Sequence, residues 1–333
     1  MHEILTHLSE TGRSKLKRTN QPDFIEPMRA TLVHEHFSDA DWIYERKLDG
    51  ERCILHKRGD TVTLYSRNEN RKNDTYPEIA EALSQLSGSF ILDAEIVTFE
   101  GKTTSFKRLQ SRIHTRNPDP SLLRKTPVYA YVFDLLFFEG YDLRPLPLRE
   151  RKNALRRALG SGGPIRFLPH RNEHGEDYLA EACGKGWEGL IAKEAASTYQ
   201  STRSRKWLKF KCGHGQELVI GGFTDPEGER VGFGALLLGY FEDEEFHYAG
   251  RVGTGFDDAF LESFREKLDR IERKTTPFAD FDSDDETTHW AEPRYVGEIG
   301  FTEWTDDHRL RHPRFLGLRE DKEPRDVRKE DPS

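Results

Sequence analysis

Residues 45–52 read Glu45-Arg46-Lys47-Leu48-Asp49-Gly50-Glu51-Arg52. Lys47 is followed at fixed spacing by Asp49-Gly50 and then by Arg52. This spacing can make one lysine a phosphorus nucleophile, with Arg52 placed to hold a nucleotide. A lysine at neutral pH is an ammonium, so nearby cations or loss of water must release its proton before the nitrogen can attack. Read alone, the stretch is also a turn between two strands. The runs Cys53-Ile54-Leu55-His56 and Thr61-Val62-Thr63-Leu64-Tyr65 flank Arg58-Gly59-Asp60 and predict a β-hairpin directly after the lysine. Ser66-Arg67-Asn68 ends it, and Arg67 can grip a ribose or phosphate with its two-pronged guanidinium.

Four segments further along have chemistry that suits the same task. Leu92-Asp93-Ala94-Glu95 predicts a strand with Asp93 and Glu95 on one side, and such acids bind a ribose hydroxyl or a divalent metal. Phe133, in the apolar run Val128 to Phe138, can stack on a base or belong to a core. Glu188 opens Glu188-Gly189-Leu190-Ile191-Ala192-Lys193 and can ligate a divalent cation through oxygen; otherwise it is a charged turn before a strand. The run 203–211 carries five cations and no acid: Arg203, Arg205, Lys206, Lys209 and Lys211. Lys209 and Lys211 alternate on a strand and so point one way, a geometry that can clamp a triphosphate and crowd Lys47.

The chain's 333 residues suggest two domains. It has no stretch of 18 apolar residues, so no transmembrane helix is expected. The N-terminus lacks the basic and apolar regions of a signal peptide. Cys53, Cys183 and Cys212 are odd in number and far apart. They fit neither a disulfide framework nor a zinc site, and reduced thiols in a cytoplasmic protein are expected. The net charge of -8 is unevenly spread. Residues 1–215 hold 35 lysines and arginines against 29 acids, and residues 216–333 hold 16 against 30. The front can meet phosphates. The back mostly repels them, apart from the basic stretch Arg309, Arg311, Arg314, Arg319 and Lys322.

Periodicity predicts helices over 77–86, 148–159, 178–184 and 260–271. After residue 215 the texture changes to short strands and one helix, which suits a small Greek-key barrel. The expected organisation is a loosely held leader over 1–21, a first domain over 22–213, a second over 216–323 and a frayed tail over 324–333. The acidic segment 278–288 reads as a solvated loop.

In this order the segments resemble the covalent nucleotidyltransferase superfamily of ATP-dependent DNA ligases, RNA ligases and capping enzymes. Gly250-Arg251-Val252-Gly253-Thr254-Gly255-Phe256, Phe301-Thr302-Glu303-Trp304-Thr305, Leu310-Arg311-His312-Pro313 and Gly317-Leu318-Arg319-Glu320-Asp321-Lys322 look like the ligase module of bacterial ligase D. Pro22-Asp23-Phe24-Ile25-Glu26-Pro27-Met28 is similar to its entry. The resemblance spans residues 22–323. Its departures are Leu48, where tryptophan is frequent, and Lys206, where an acid is common.

The resemblance implies an α+β fold: a nucleotidyltransferase (ATP-grasp-like adenylation) domain with antiparallel sheets and flanking helices, followed by an OB-fold barrel. It implies ATP as cofactor, Mg²⁺ or Mn²⁺ as metal, and sealing of nicks through lysyl-AMP and DNA-adenylate. Lys47 matches the nucleophile and Glu45 the reader of the adenine side. Arg52 and Arg67 match nucleotide and 5′-phosphate contacts. Glu95 matches the ribose or metal acid, Phe133 the stacking aromatic and Glu188 the metal ligand. Arg203, Lys209 and Lys211 match phosphate contacts, and Arg319 and Lys322 the pyrophosphate-orienting pair. A hinge is expected at Gly213-His214-Gly215. The implied partners are nicked or broken duplex DNA, a Ku-like end-binding protein and separate polymerase or nuclease chains, with no membrane. A monomer at the nucleoid, in the cytoplasm, is expected. An RNA ligase or capping-type enzyme is the alternative acceptor reading, and a noncatalytic DNA-binding scaffold the alternative of another class. An intact Lys47, Glu95, Glu188, Lys209 and Lys211 speak against the scaffold.

Overall fold

The computed structural model describes residues 2–33, 35–159, 162–212, 215–320 and 322–330. The chain divides into two compact units that part at residues 212–213. The first is built on two sheets. In the larger sheet the strands run in the order Lys17–Arg18, Tyr141–Asp142, Tyr129–Phe138, Phe90–Val97, Glu51–Arg58, Thr61–Ser66, with Ile165–Phe167 parallel beside Tyr129–Phe138. The smaller sheet runs His170–Asn172, Trp42–Arg46, Gly189–Glu194, Arg203–Lys211, Arg29–Leu32.

Alternation along the strands sorts their side chains into layers. Leu55, Leu92, Ala94 and Ile96 point to one face of the larger sheet and bury against the helices Pro77–Ser84, Phe106–Ile113 and Leu148–Ala158. Ile54, Ile91 and Phe133 point to the other face and meet Met28, Leu48 and Trp207. The outer face of the smaller sheet, with Tyr44, Leu190, Ala192, Leu208 and Phe210, packs on Tyr178, Leu179 and Ala182 of the helix Gly175–Gly184. Each large apolar side chain so buried contributes about 1.5–3 kcal/mol. The chemistry-bearing residues lie in the seam between the sheets.

The second unit is an antiparallel sheet in the order Glu245–Val252, Leu236–Glu242, Gly215–Thr224, Thr288–Gly300, Glu272–Arg273, with Arg314–Leu318 also on Thr288–Gly300. A register shift between Ile220 and Gly222 bends the central strand, as a bulge does. The sheet curls into the half-barrel of an OB-fold around Phe223, Phe233, Leu238 and Val296, and the helix Asp258–Asp269 covers it with Leu261, Phe264 and Leu268.

Four sequence expectations change. The leader is not loose: Glu3–Thr6 and Glu10–Lys15 are short helices, Leu5 and Leu8 are buried in the first core, and the Ser9 N–H donates to Glu150 at 3.1 Å. Two leucines three residues apart suffice to dock a polar stretch. The tail is not frayed as far as residue 330. Val327 is buried, its carbonyl accepts from Phe241 N–H at 2.9 Å, and Gln216 binds both Arg328 and Glu330 backbones. The acidic loop is anchored at its start by aromatics: Phe278 stacks on Phe246 at 4.6 Å and Phe281 on Tyr248 at 3.8 Å. Finally, Cys183 and Cys212 form a disulfide across 29 residues, with Cys53 buried and outside that bond. The end of a helix and the end of a strand meet there, which spacing along the chain does not reveal. The expected hinge residues Gly213 and His214 lie outside the described residues, as does Asp321.

Candidate active site

Lys47 leaves the strand Trp42–Arg46, and its N–H donates to the Gly189 carbonyl at 2.8 Å. Gly189 has φ +146°, and a Cβ there would lie 2.0 Å from the Phe210 carbonyl oxygen. Only glycine lets the three strands close up at this point. That closeness brings the Lys47 ammonium into an ion pair with Glu188. Gly189 is in register with Lys211, and Ile191 with both Glu45 and Lys209. Trp207, of the same parity as Lys209 and Lys211, is in the seam, so all three project there. Asp49 works as a brace: its carboxylate accepts from Phe106 N–H at 3.1 Å, at the start of a helix. Gly50 passes so near the larger sheet that a Cβ would sit 2.3 Å from the Ile96 carbonyl oxygen.

Across the seam, Arg52 grips Asp93 with both prongs, at 2.5 and 2.7 Å. Asp93 is fully buried and also accepts from the Tyr199 hydroxyl at 2.6 Å. Burial works against the Arg52 charge, but Asp93 outweighs it and raises the arginine further above its usual range. Glu95 is the cross-strand partner of Arg52. Arg67 follows Ser66, which pairs with Cys53, and so stands at the same end of the sheet. The Arg52 guanidinium lies 4.6 Å from the Phe133 ring, and Trp207 meets that ring edge-on at 6.2 Å.

Beneath these lies a buried charge cluster. Glu45 is 1% exposed and is held by Lys152 on one oxygen and by Lys193 at 2.6 Å on the other. Burial alone would push the Glu45 carboxyl up; the two lysines prevail and hold it below the usual range. Burial pushes Lys193 down to about 8 in spite of Glu45. The same burial, reinforced by Lys152, pushes His170 down to about 4. The Lys193 ammonium sits 4.2 Å from the Phe133 ring and 3.9 Å from the Trp207 ring.

A nucleophile-spaced lysine, a facing pair of lysines and an aromatic wall are the parts of a nucleotide-transfer pocket. Known proteins resemble the chain as a whole. The model for the ATP dependent DNA ligase domain matches residues 26–211, and that for the ATP dependent DNA ligase C terminal region matches 229–322. The chain belongs to the ATP-dependent DNA ligase family. It is 37% identical over 326 residues to the multifunctional non-homologous end joining protein LigD of Pseudomonas aeruginosa, covering 95% of this chain and 38% of that protein. It is 32% identical over 296 residues to a DNA ligase of Natronomonas pharaonis, covering 85% of this chain and 52% of that one. The chain thus spans only about two-fifths to one-half the length of these relatives. Among solved structures it is similar to a mycobacterial DNA ligase D complexed with ATP and MES: TM-score 0.66, 30% identity, 92% of this chain and 99% of that one. It is also similar to the ligase domain of LigD from M. tuberculosis, with TM-score 0.52 and 30% identity over 92% of this chain.

Along the seam the structure gathers Glu45, Lys47, Glu188, Lys209 and Lys211 on the smaller sheet and Arg52, Glu95 and Phe133 on the larger. It does not bring Arg203 to the lysine pair. Arg203 starts its strand in register with Arg29, before a register shift, while Lys209 and Lys211 end it. A cluster contiguous in sequence is stretched out when it becomes a strand. Lys206, the departure from the family pattern, is spent on an ion pair with Glu194 at 2.5 Å. In the OB unit, Lys322 pairs with Glu217 at 2.8 Å and Arg319 with Glu298 at 3.3 Å. Sequence reading missed Lys152, Tyr199 and the role of Lys193; nothing in local spacing marks a lysine 107 residues from its glutamate.

The pocket suits ATP: it offers cations for phosphates, an aromatic wall, and the buried Trp207 indole N–H, which has no hydrogen-bond partner among the described residues. No cluster of three histidine, cysteine or acidic side chains fit for a metal exists among the described residues. The acids present suit an ion held by one or two carboxylates together with substrate phosphates, the usual manner of Mg²⁺.

Proposed function

We propose that this chain seals 5′-phosphate/3′-hydroxyl nicks in duplex DNA, using ATP, through a lysyl-AMP intermediate. The observation that carries the reading is the placement of Lys47 against Gly189 and Glu188, with Lys209 and Lys211 entering the same seam. The Lys47 nitrogen bonds the α-phosphorus of ATP and pyrophosphate leaves. The 5′-phosphate of the nick then takes the AMP, and the 3′-hydroxyl displaces it to close the strand.

The pairing with Glu188 favours the ammonium form of Lys47, whereas attack needs the neutral amine. The pair therefore opens as nucleotide binds. Glu188, with Glu95, would then hold a Mg²⁺ or Mn²⁺ ion, whose charge relieves the α-phosphate. Lys209 and Lys211 neutralise phosphate oxygens, Phe133 flanks the base, Arg67 meets the nick phosphate, and the Glu45 cluster fixes the adenine end. Arg52, locked to Asp93, shapes the wall beside Phe133. Residues 22–213 act as the adenylation domain. Residues 216–323 act as an OB domain whose Arg319 and Lys322 orient the pyrophosphate and then withdraw. The end-joining names of the LigD relatives support a role in end joining, and a Ku-like partner, separate polymerase or nuclease chains and a cytoplasmic, nucleoid-associated place of work are part of the same proposal.

The test is incubation with ATP and a divalent metal, then intact mass and peptide mapping. One added AMP on the peptide holding Lys47 is expected. AMP on another residue, or none, would overturn the reading.

A further inference from the structure

Arg46 is the last residue of the strand Trp42–Arg46. Alternation puts it on the side of Trp42 and Tyr44, which pack with Trp187 beside the helix Gly175–Gly184. That is the opposite face from Glu45. Its guanidinium lies 4.3 Å from the Trp187 ring centre and 5.9 Å from that of Phe99. Its Nε and Nη2 are buried without a hydrogen-bond partner, and no carboxylate of the described residues pairs with it. Burial accordingly lowers its pKa, with only Tyr131 and Tyr178 acting the other way.

Its neighbours differ in this respect. Lys185, 5.2 Å from the same indole, and Arg171, 3.9 Å from the Tyr178 ring, are both satisfied by Glu181. Tyr178 in turn meets Trp187 edge-on at 6.1 Å. Arg46 is thus a partly desolvated, uncompensated cation on an aromatic shelf. Cations interleaved with aromatics suit a nucleic-acid strand. A buried, unpaired charge costs free energy, and a phosphate oxygen would satisfy both idle N–H groups at once.

We infer that Arg46, backed by Trp187, is a seat for a backbone phosphate of the DNA. The inference rests on the ligase reading. Arg46 leaves its strand on the face away from Glu45, yet its guanidinium reaches Phe99, which packs against the seam cluster of Leu48, Phe133 and Trp207, so the salt and lysyl-AMP arms below separate a phosphate of the polymer from one of ATP.

The experiment measures binding of a labelled nicked duplex to the adenylylated protein at several salt concentrations, for wild type, R46M and R46K. R46M keeps the aliphatic stem over the indole but loses the charge. It should bind about tenfold more weakly at low salt, and its log–log salt slope should be shallower by about 0.9, the value of one phosphate contact. R46K should retain most of the slope. Lysyl-AMP formation from ATP, followed by mass, should stay within about twofold of wild type, as expected of a phosphate-only contact. Where R46M does not fold, R46Q replaces it with the same expected loss of slope. An unchanged slope with normal lysyl-AMP formation overturns the seat. A loss concentrated in lysyl-AMP formation also overturns it, since the anion would then be ATP's. Failure of the wild type to form lysyl-AMP would instead sink the ligase reading.

Discussion

Lys47 and Arg52 stand five residues apart in one short stretch, yet their surroundings give them different duties. Lys47 is tied by its backbone to Gly189 and by its side chain to Glu188, which is about one-quarter exposed. Replacing Lys47 with alanine should abolish AMP labelling from ATP and change stability by only about 1 kcal/mol, the scale of a partly exposed pair. Labelling of the variant from α-labelled ATP would refute Lys47 as nucleophile. Arg52 faces the fully buried Asp93. An Arg52→Met variant leaves a buried carboxylate with only the Tyr199 hydroxyl, and should lose about 3–5 kcal/mol in urea melts. An Arg52→Met, Asp93→Leu double variant should recover much of that loss. A single variant as stable as wild type would show that Arg52 serves the nucleotide alone. At this scale the sequence was legible where chemistry and spacing coincide, as for Lys47 and the Glu188-Gly189 pair. It was silent on Asp93 as the partner of Arg52 and on Lys152 as the partner of Glu45. Those pairs exist only once distant strands and a helix are side by side.

Elements carry the next level of information. The strands around Lys47 and the helices at 77–84, 148–158 and 258–269 were readable from alternation and helical spacing, to within a few residues. The helices Phe106–Ile113 and Pro120–Lys125 were not, since the second buries no residue and the first is mostly polar. The Cys183–Cys212 bond joins the end of the helix Gly175–Gly184 to the residue after the strand Arg203–Lys211, beside the Glu188 carbonyl that accepts from Cys212 N–H at 3.0 Å. Closing a loop of this size restrains the unfolded chain by about 3.6 kcal/mol. Cys183→Ser should destabilise the adenylation unit by up to that amount, and non-reducing peptide mapping should find the two peptides joined. Equal melts for wild type and variant under oxidising conditions would contradict a bond in solution. In the OB unit, the His289 ring lies between Glu272 at 2.8 Å and Asp225 at 3.0 Å. Burial acts to lower its pKa, but the two carboxylates prevail and raise it above 6.5. A raised folded value means its stabilisation is fully present below pH 6.5 and is lost as pH rises through that value. The OB-unit melting temperature should therefore fall from pH 6 to 8, and His289→Gln should flatten the fall. A rise over that range would reverse the assignment.

At the scale of the whole chain, the uneven charge seen in the sequence matches a division of labour between two units. The front unit holds the pocket cations. The back unit is acidic, and the pair with a proposed catalytic duty there, Arg319 and Lys322, is already neutralised by Glu298 and Glu217. Side chains held by carboxylates within their own unit are preorganised, and at 11% and 20% exposure Arg319 and Lys322 leave those partners only when incoming phosphates replace them. If they serve the triphosphate, their effect belongs to one step alone. Pyrophosphate departs when Lys47 is adenylylated, and no pyrophosphate is present when a preformed DNA-adenylate is sealed. Arg319→Ala and Lys322→Ala should therefore slow lysyl-AMP formation by at least about tenfold, the worth of one charged contact of roughly 1.4 kcal/mol. Sealing of a pre-adenylylated nick should change far less. Single-turnover assays of the two steps on one preparation make the comparison. Equal losses in both steps would mean that these cations bind DNA or hold the OB unit together, and the model in which they approach and then withdraw would fail.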